Sequence, residues 1–398
     1  VIMDVVYNHL GPAGNHLGKY GPYFTDRYNT PWGDAVNFDG PDSGPVRDFF
    51  VDNALLWLRD YHMDGLRLDA VHAIVDTSAV HILESIGSAV VALAAHVGRP
   101  LWLIAESDLN DPRVVRRPEV GGYGMDAQWS DDFHHALHVA LTGEKSGYYA
   151  DFRGLADVAV AYRQAFVYAG AYSRERRRVH GRLPVGLPGW RFLGYLQNHD
   201  QVGNRALGER SSHLMSVGRV KVGAALVLLS PFVPMLFQGE EWAASSPFQY
   251  FTDHADPELG AAVSEGRRRE FASFGWAPED VPDPQAVETF ERSRLRWDEV
   301  GSAPHAEVLE WHRALIGLRR SVPALTDGRM EDVRVLVEDG AGWLVMQRGP
   351  VTVAANVGAV PVTLPAVGSV LLSSEAGVRL ADGMLTLPAD SVAVLLAG

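Results

Sequence analysis

Short apolar runs alternate with helix-like patterns over most of the chain. The apolar runs predict buried strands, and they are VIMDVV (1–6), GLRLDAV (65–71), LWLIAES (101–107), YGMDAQWS (123–130), FLGYLQNHD (192–200) and VPMLFQGEE (233–241). Between the runs, apolar residues recur at three- and four-residue spacing, which predicts amphipathic helices. Such alternation is typical of a parallel sheet whose faces are covered by helices.

The helices lie between these runs, and a different pattern follows them. The predicted helices are, in chain order, one opened by Pro45 and others near 78–97, 131–178, 221–230 and 306–320. The cluster RERRR (174–178) closes the long region, and we expect it to be the solvated end of a helix. From about residue 322, short Val- and Leu-rich segments separated by glycines predict a small all-β domain.

Polar side chains lie at the ends of the apolar runs. They are Asp4, Asn8, His9, Arg67, Asp69, Glu106, Asp126, His199, Asp200 and Glu240. In a (β/α)8 barrel, the carboxyl ends of all strands meet at one face, whereas a doubly wound sheet gathers ligands at one crevice. Polar ends on six runs favour the barrel, and no GxGxxG or Walker A motif supports a nucleotide fold. The prediction is a (β/α)8 TIM barrel followed by a C-terminal all-β domain.

Composition narrows the class of partner. The chain has 398 residues, of which 47% are hydrophobic and 21% charged, an ordinary globular balance. The net charge of −14 disfavours nucleic acid or an anionic membrane as a partner. No apolar segment approaches the ~20 residues of a membrane span. The absence of cysteine excludes disulfides and agrees with a cytoplasmic protein.

The run GLRLDAV contains two charges that need an explanation. Arg67 and Asp69 are two residues apart, so on a strand their side chains point to the same face. Buried charges are costly unless they are paired or used. Asp69, Glu106 and Asp200 lie at the ends of three different runs, and glycoside hydrolysis needs paired carboxylates, one ionised and one protonated. Arg67 would keep Asp69 ionised, and desolvation after LWLIA would suit Glu106 as an acid.

Other residues fit a sugar-binding site, although each also has a structural interpretation. His199 could hydrogen-bond a sugar hydroxyl, and aromatic rings suit the C–H faces of sugars. The aromatic residues in the loops after the strands are Tyr20, Tyr23, Trp32, Trp129 and Trp242. Taken singly, Arg67 and Asp69 form a structural ion pair as readily as a catalytic one. A glutamate that ends an apolar run, as Glu106 does, is more often a helix cap or a surface residue than a catalyst. His134, His135 and His138 lack a second ligand cluster, so we expect no zinc site.

Four motifs resemble the ordered signature regions of the α-amylase family of glycoside hydrolases. They are DVVYNH (4–9), GLRLDAVH (65–72), IAES (104–107) and QNHDQVGNR (197–205). The resemblance covers about residues 1–320, and the β-domain after it also fits. It implies a retaining mechanism with Asp69 as nucleophile, Glu106 as general acid/base and Asp200 as the carboxylate that holds substrate hydroxyls. The substrate-binding or supporting residues that it implies are Arg67, His199, Asp4, His9, His72 and Trp129.

Longer stretches are similar to one branch of this family. They are IAESDLNDPR (104–113), QWSDDFHHALH (128–138) and FQGEEWAASSPFQYFTDH (237–254). Members of that branch hydrolyse the α-1,4 bond next to the terminal trehalose of malto-oligosyltrehalose, and malto-oligosyltrehalose synthase is their pathway partner. A glycogen-branching enzyme or a general α-1,4-glucan hydrolase are the alternatives within the family. A non-catalytic glucan-binding relative and a metal-dependent enolase-type lyase are alternatives from other classes.

The resemblance also sets expectations about the ends of the domains. The first signature region belongs to the third barrel strand, so we expect strands one and two and an N-terminal β-sandwich to lie upstream. Residues 1–321 would then hold strand 3 to helix 8, with an open barrel edge, and 322–398 a C-terminal β-sandwich. Many α-amylases bind calcium through an asparagine like Asn8. Calcium needs six to eight oxygen ligands, and we cannot assemble that many from this sequence. We therefore expect Asn8 to hydrogen-bond near the site, without a metal or cofactor.

Overall fold

The computed structural model of the protein describes residues 1–11, 13–30, 33–272 and 277–397. Its internal contacts divide the chain into two units. The first unit is Val1–Asp131 with Tyr168–Leu193, and the second is Asp132–Val167 with Gly194–Gly398. No described helix combines the length and the apolar character that crossing a lipid bilayer requires.

The strands and helices follow the predicted alternation. The α-helices are α1 (Gly44–Arg59), α2 (Ile82–Val97), α3 (Asp131–Thr142), α4 (Leu155–Gln164), α5 (His199–Gly203), α6 (Val217–Leu228), α7 (Pro257–Ala272), α8 (Val287–Ser293) and α9 (His305–Ser321). The first ten strands are β1 (Ile2–Val5), β2 (Phe24–Thr30), β3 (Gly33–Val36), β4 (Gly65–Leu68), β5 (Trp102–Ala105), β6 (Ala127–Trp129), β7 (Ala171–Ser173), β8 (Arg178–His180), β9 (Phe192–Gly194) and β10 (Val233–Pro234). The remaining strands are β11 (Val333–Glu338), β12 (Trp343–Arg348), β13 (Val351–Asn356), β14 (Val362–Pro365), β15 (Ser369–Ser373), β16 (Arg379–Ala381), β17 (Met384–Leu387) and β18 (Ser391–Leu396).

The strand order of the main sheet is that of a singly wound fold. The order is β1-β4-β5-β6-β9-β10, and the pairs from β1 to β9 are parallel. Each strand lies beside the next one of the sheet along the chain, so the order never reverses. A doubly wound sheet would reverse it at a switch point, whereas a β/α barrel adds strands in sequence.

The core of the first unit explains the local geometry of β4. Helices α1 and α2 cover the strands with apolar side chains that include Phe50, Leu58 and Ile82, which pack with Leu66 and Leu68. The intervening Arg67 therefore points to the opposite face of the sheet. A Cβ atom at Gly65 would lie 2.5 Å from the carbonyl oxygen of Trp102. Only glycine lets β4 begin so close to β5.

The C-terminal strands form the predicted all-β structure. One antiparallel sheet has the order β11-β12-β13-β18-β15, and a second has the order β14-β17-β16. Leu364, Leu385 and Leu387 of the second sheet pack with Ala354, Ala393 and Leu395 of the first. Two sheets that bury apolar faces against each other are the arrangement of a β-sandwich. The domain boundary at residues 321 and 322 stays a prediction.

The prediction of one long helical region over 131–178 is wrong. Helix α3 ends at Thr142, α4 occupies only the middle of the region, and β7 and β8 pair as an antiparallel hairpin. Gly143, Gly154 and Gly170 have φ angles of 76°, 108° and 104°. Such angles interrupt a right-handed helix. The RERRR cluster consequently forms the hairpin turn and the first residue of β8, and it does not end a helix.

Candidate active site

Register places the main charged residues at the carboxyl ends of adjacent parallel strands. Asp4 of β1 pairs with Arg67 of β4, and Leu68 of β4 pairs with Ala105 of β5. Asp69 directly follows Leu68, and Glu106 directly follows Ala105. Because parallel strands end at the same edge of the sheet, both carboxylates lie at that edge.

Arg67 is the centre of this cluster. Its Nη1 atom donates to Asp4 Oδ1 at 2.7 Å and to Asp69 Oδ1 at 2.8 Å. Its Nη2 atom lies 2.9 Å from Glu106 Oε2. One planar guanidinium therefore contacts three carboxylates from three strands, which fixes their positions relative to one another.

The surroundings keep Arg67 charged. The residue is 6% exposed, and its guanidinium carbon lies 4.4 Å from the ring centroid of Trp129, which ends β6. Burial acts to lower the pKa of Arg67, but the charges of Glu106, Asp4 and Asp69 outweigh it and raise that pKa above its ordinary value. The cluster thus holds a permanent buried cation. Trp129 is also buried, so it contacts Arg67 from within the protein.

Asp69 has a second anchor on the loop after β1. The amide nitrogen of the buried Asn8 side chain donates to the backbone carbonyl of Asp69 at 2.8 Å and to its Oδ2 at 2.9 Å. His9 Nδ1 lies 2.5 Å from Asn8 Oδ1. Burial lowers the pKa of His9 below its ordinary value, although the Asp69 charge opposes that shift. As expected from the sequence, Asn8 makes hydrogen bonds beside the site.

Glu106 is held by the turn that follows Asp69. The backbone N–H of Ala70 donates to Glu106 Oε2 at 2.7 Å, and the N–H of Val71 donates to the Glu106 carbonyl at 3.0 Å. Ala70 has a φ of 39°, a left-handed conformation that is uncommon for alanine. Together with Arg67, these contacts suit an ionised acceptor. The sequence predicts a desolvated, protonated acid, and a proton on Oε1 is compatible with these contacts because Ala70 and Arg67 both meet Oε2.

His72 and Asp108 extend the cluster along the same edge. His72 lies on the turn Val71–Ala73, and its Nδ1 atom is 3.8 Å from Asp108 Oδ1. Asp108 follows Glu106 by two residues and accepts a hydrogen bond from Arg176 Nη1 at 2.8 Å. The family resemblance predicts His72 as a supporting residue. Asp108 and Arg176 were missed, although two short β-like segments between Gly170 and Gly181 could have indicated a hairpin around Arg176.

His199 and Asp200 lie in the second unit, at the start of α5. Asn198 caps this helix, because its Oδ1 accepts from the N–H groups of Asp200 at 2.8 Å and Gln201 at 3.2 Å. Gln201 Oε1 in turn accepts from the Asn198 N–H at 3.1 Å, which completes a capping box. The side chains of His199 and Asp200 are 43% and 46% exposed. Their roles stay predictions.

Several polar or aromatic residues at or near the ends of apolar runs are buried or hydrogen-bonded within the protein and do not join the carboxylate cluster around Arg67. Asp126 precedes β6 and accepts from the Leu103 N–H at 2.8 Å, so it lies at the amino end of its strand. Its predicted place at a carboxyl end is therefore wrong.

Glu240 is buried, and burial raises its pKa to about 8. Trp242 is buried and donates to Glu299. Trp32 lies outside the described residues.

The histidines of α3 are part of the packing of the second unit. His134 Nδ1 lies 2.7 Å from the Leu196 carbonyl, and its Nε2 lies 2.9 Å from the Tyr149 hydroxyl. His138 Nε2 lies 2.7 Å from Glu144. Within the part of the chain that the structure describes, no group of three or more His, Cys, Asp or Glu side chains is arranged to hold a metal ion.

Comparison with known proteins identifies relatives over the whole chain. The chain is 49% identical to malto-oligosyltrehalose trehalohydrolase of Mycobacterium tuberculosis, covering all of this chain and 68% of that protein. It is 50% identical to malto-oligosyltrehalose trehalohydrolase of Rhizobium sp. over 99% of this chain and 67% of that protein. The chain thus spans about two thirds of the length of these relatives.

Structural comparison agrees with the sequence comparison. A crystal structure described as an α-amylase from Salmonella typhimurium is 38% identical, with a TM-score of 0.88, over all of this chain and 68% of that one. A family model described as Domain of unknown function (DUF3459) matches residues 328–394, within the C-terminal β-structure. The predicted fold, a TIM barrel followed by an all-β domain, is confirmed. The chain belongs to the malto-oligosyltrehalose trehalohydrolase family, a branch of the α-amylase-type glycoside hydrolases.

Proposed function

We propose that this protein hydrolyses the α-1,4 bond next to the terminal trehalose of malto-oligosyltrehalose and releases trehalose. One structural observation carries the chemistry. Arg67 holds Asp69 and Glu106, which end adjacent parallel strands, through separate nitrogens of one guanidinium group. A pair of carboxylates fixed at this edge is what glycoside hydrolysis requires. The relatives of the chain support the choice of substrate.

The first step forms a covalent intermediate. Asp69, held by Arg67 and Asn8, attacks the anomeric carbon of the glucosyl unit on the non-reducing side of the scissile bond. Glu106, after taking up a proton, donates it to the leaving O4 of trehalose. The bond from the anomeric carbon to O4 breaks as the bond to Asp69 forms. Retention requires the two carboxyl groups to lie roughly 5–5.5 Å apart.

The second step regenerates the enzyme. Glu106, now ionised, removes a proton from water, and the water oxygen replaces Asp69 on the anomeric carbon. The product is a shortened malto-oligosaccharide with the α configuration at its new reducing end. Asp200 and His199 hold substrate hydroxyls during both steps, and Asp4, His9 and His72 keep the surrounding carboxylates and turns in place.

The cellular setting belongs to the same proposal. The substrate carries an α,α-1,1 linkage, so malto-oligosyltrehalose synthase is the pathway partner that supplies it. The enzyme works in the cytoplasm without a metal or cofactor, and it binds neither nucleic acid nor membrane. The net charge of −14 supports a neutral ligand over a polyanion. Residues 1–321 form the catalytic barrel region and 322–398 the C-terminal β-sandwich.

Product analysis tests the proposal. Full-length protein is offered maltopentaose and maltopentaosyl-trehalose side by side, with Asp69→Asn as the matched control for contaminating activity. Free trehalose from the second substrate, with little cleavage of the first, is the expected result. Equal cleavage of both would indicate a general α-1,4-glucan hydrolase, and new α-1,6 branches on a longer glucan would indicate a branching enzyme. Absence of any reaction would favour a glucan-binding protein.

A further inference from the structure

We propose that Arg176 is a positioning residue for the acid/base Glu106, acting through Asp108 and the turn that carries Ala70 and His72. The inference rests on the proposed function, because it assumes that Glu106 takes part in the reaction. Arg176 lies in the RERRR turn of the β7–β8 hairpin, 70 positions after Glu106, and the mechanism above gives it no role.

The first link joins the hairpin to the loop after β5. Arg176 Nη1 donates to Asp108 Oδ2 at 2.8 Å, and both side chains are about one quarter to one third exposed. Burial alone would raise the pKa of Asp108, but His72 and Arg176 together lower that pKa below its ordinary value. Asp108 is thus a carboxylate that is partly desolvated and balanced by groups from two directions.

The second link joins Asp108 to Glu106. Asp108 Oδ1 lies 3.8 Å from Nδ1 of His72, which lies on the turn after Asp69. The same turn donates the Ala70 N–H to Glu106 Oε2 and the Val71 N–H to the Glu106 carbonyl. Ala70 adopts an unfavourable left-handed conformation, and such strain persists only where the surroundings hold it. The 3.8 Å approach of His72 to Asp108 is longer than a hydrogen bond and becomes an ion pair when His72 is protonated. In that state the Arg176–Asp108–His72 contacts constrain this turn.

The hairpin is itself anchored firmly enough to serve as a support. His180 Nε2 lies 2.8 Å from the Asp108 carbonyl, and the Arg182 N–H donates to the Asn110 carbonyl at 3.0 Å. Asn110 Nδ2 donates to the Tyr168 carbonyl at 3.1 Å. A Cβ at Gly181 would lie 1.9 Å from that same carbonyl, so this close approach needs glycine. Loss of Arg176 therefore removes one charged contact without removing the hairpin.

A set of matched variants of the full-length protein tests the inference. Arg176→Ala removes the contact, Arg176→Lys keeps a charge without the planar fork, and Arg174→Ala removes a neighbouring exposed arginine of the same turn as a control. We expect Arg176→Ala to lower kcat on maltopentaosyl-trehalose roughly tenfold or more, since a misplacement of ~1 Å can cost about 10²-fold. KM should change less than about twofold, and Arg176→Lys should recover part of kcat.

A double-mutant cycle separates positioning from general destabilisation. In an Asp108→Asn background, the Arg176→Ala change should have little further effect on kcat, because the residue acts through Asp108. Equal kcat for Arg176→Ala and Arg174→Ala would overturn the inference, as would independent, multiplicative losses in the cycle. If Arg176→Ala fails to fold, the Lys variant carries the same comparison. Failure of the unchanged protein to release trehalose refutes the proposed function instead, and the ratios of kcat on whichever glucan it cleaves still decide the role of Arg176.

Discussion

The guanidinium group of Arg67 lies over the ring of Trp129, with 4.4 Å between the guanidinium carbon and the ring centroid. The contact joins the cation that holds the proposed catalytic carboxylates Asp69 and Glu106 to the end of β6. Both residues are buried, so the cation–π attraction is little screened by water. Trp129 consequently supports Arg67 from inside the protein, and it does not offer an exposed face to a sugar.

This arrangement predicts how Trp129 variants behave. A desolvated cation–π contact is worth about 1–2 kcal/mol, so Trp129→Leu should lower kcat roughly tenfold, whereas Trp129→Phe keeps a ring and should lose less. KM for maltopentaosyl-trehalose should stay nearly constant in both variants. A large rise in KM with unchanged kcat would contradict the interpretation, because a stacking platform would then be the better description.

The contacts of Glu106 lead to a prediction about leaving groups. Glu106→Gln keeps the acceptor for the Ala70 N–H but has no proton to donate, so kcat on maltopentaosyl-trehalose should fall about 10²–10⁴-fold. Fluoride needs no protonation to leave. α-Maltosyl fluoride should therefore still release a rapid burst of fluoride in this variant, which an ion-selective electrode records, followed by slow turnover. Equal losses of the burst and of trehalose release would rule out the acid role.

The periodicity of the sequence is enough to place Arg67 and Asp69 on one face and to put Asp69 and Glu106 at strand ends. These properties depend only on the two-residue repeat of a strand and on the rule that parallel strands end together. The same pattern does not show where a strand begins within an apolar run or how it pairs with its neighbour. For that reason it could not place Asp126 at the amino end of β6. The pairing of Arg176 with Asp108 joins residues 68 positions apart. No local pattern encodes such a contact, and the glycines that break the helix after α3 are the local signal that was missed.

Glu240 gives a prediction about stability and pH. Burial raises its pKa from an ordinary 4.5 to about 8, so the folded protein binds a proton that the unfolded chain releases between these values. The stability that this proton contributes is present below pH 4.5 and is lost as the pH rises to about 8. The slope is at most about 1.4 kcal/mol per pH unit.

Glu240→Gln should remove this slope, because glutamine keeps an acceptor for the Phe237 N–H without titrating. Urea unfolding of both proteins at pH 5, 6, 7 and 8 measures the effect. The unchanged protein should lose stability relative to the variant over this range, and the difference should level off above pH 8. Stability curves that run parallel from pH 5 to 8 would show that Glu240 is ionised throughout.

Arg348 of β12 leads to a prediction about the C-terminal part of the chain. Its Nη1 atom donates to the carbonyl oxygens of Leu229, Ser230 and Leu325 at 2.8, 2.7 and 3.1 Å. Leu229 and Ser230 directly follow helix α6, where carbonyl groups lack helical partners and a cation is favourable. Burial lowers the pKa of Arg348 to about 10, which still leaves it charged at neutral pH.

Arg348→Met keeps most of the volume but removes this donor from the Leu229 and Leu325 carbonyls, whereas the Ser230 carbonyl still accepts from Arg319 Nη1 at 2.8 Å. Hydrogen bonds to charged groups contribute about 1.5–3 kcal/mol each and are not additive, so we expect the free energy of unfolding to fall by about 3 kcal/mol. Arg334→Met removes an exposed arginine of the neighbouring strand β11 and should change it by no more than about 0.5 kcal/mol. Urea unfolding at pH 7 compares the two variants. Equal midpoints would mean that water and Arg319 satisfy the carbonyls after α6 without Arg348. A third variant, Arg348→Lys, with an intermediate midpoint would attribute the difference to the planar guanidinium group of arginine.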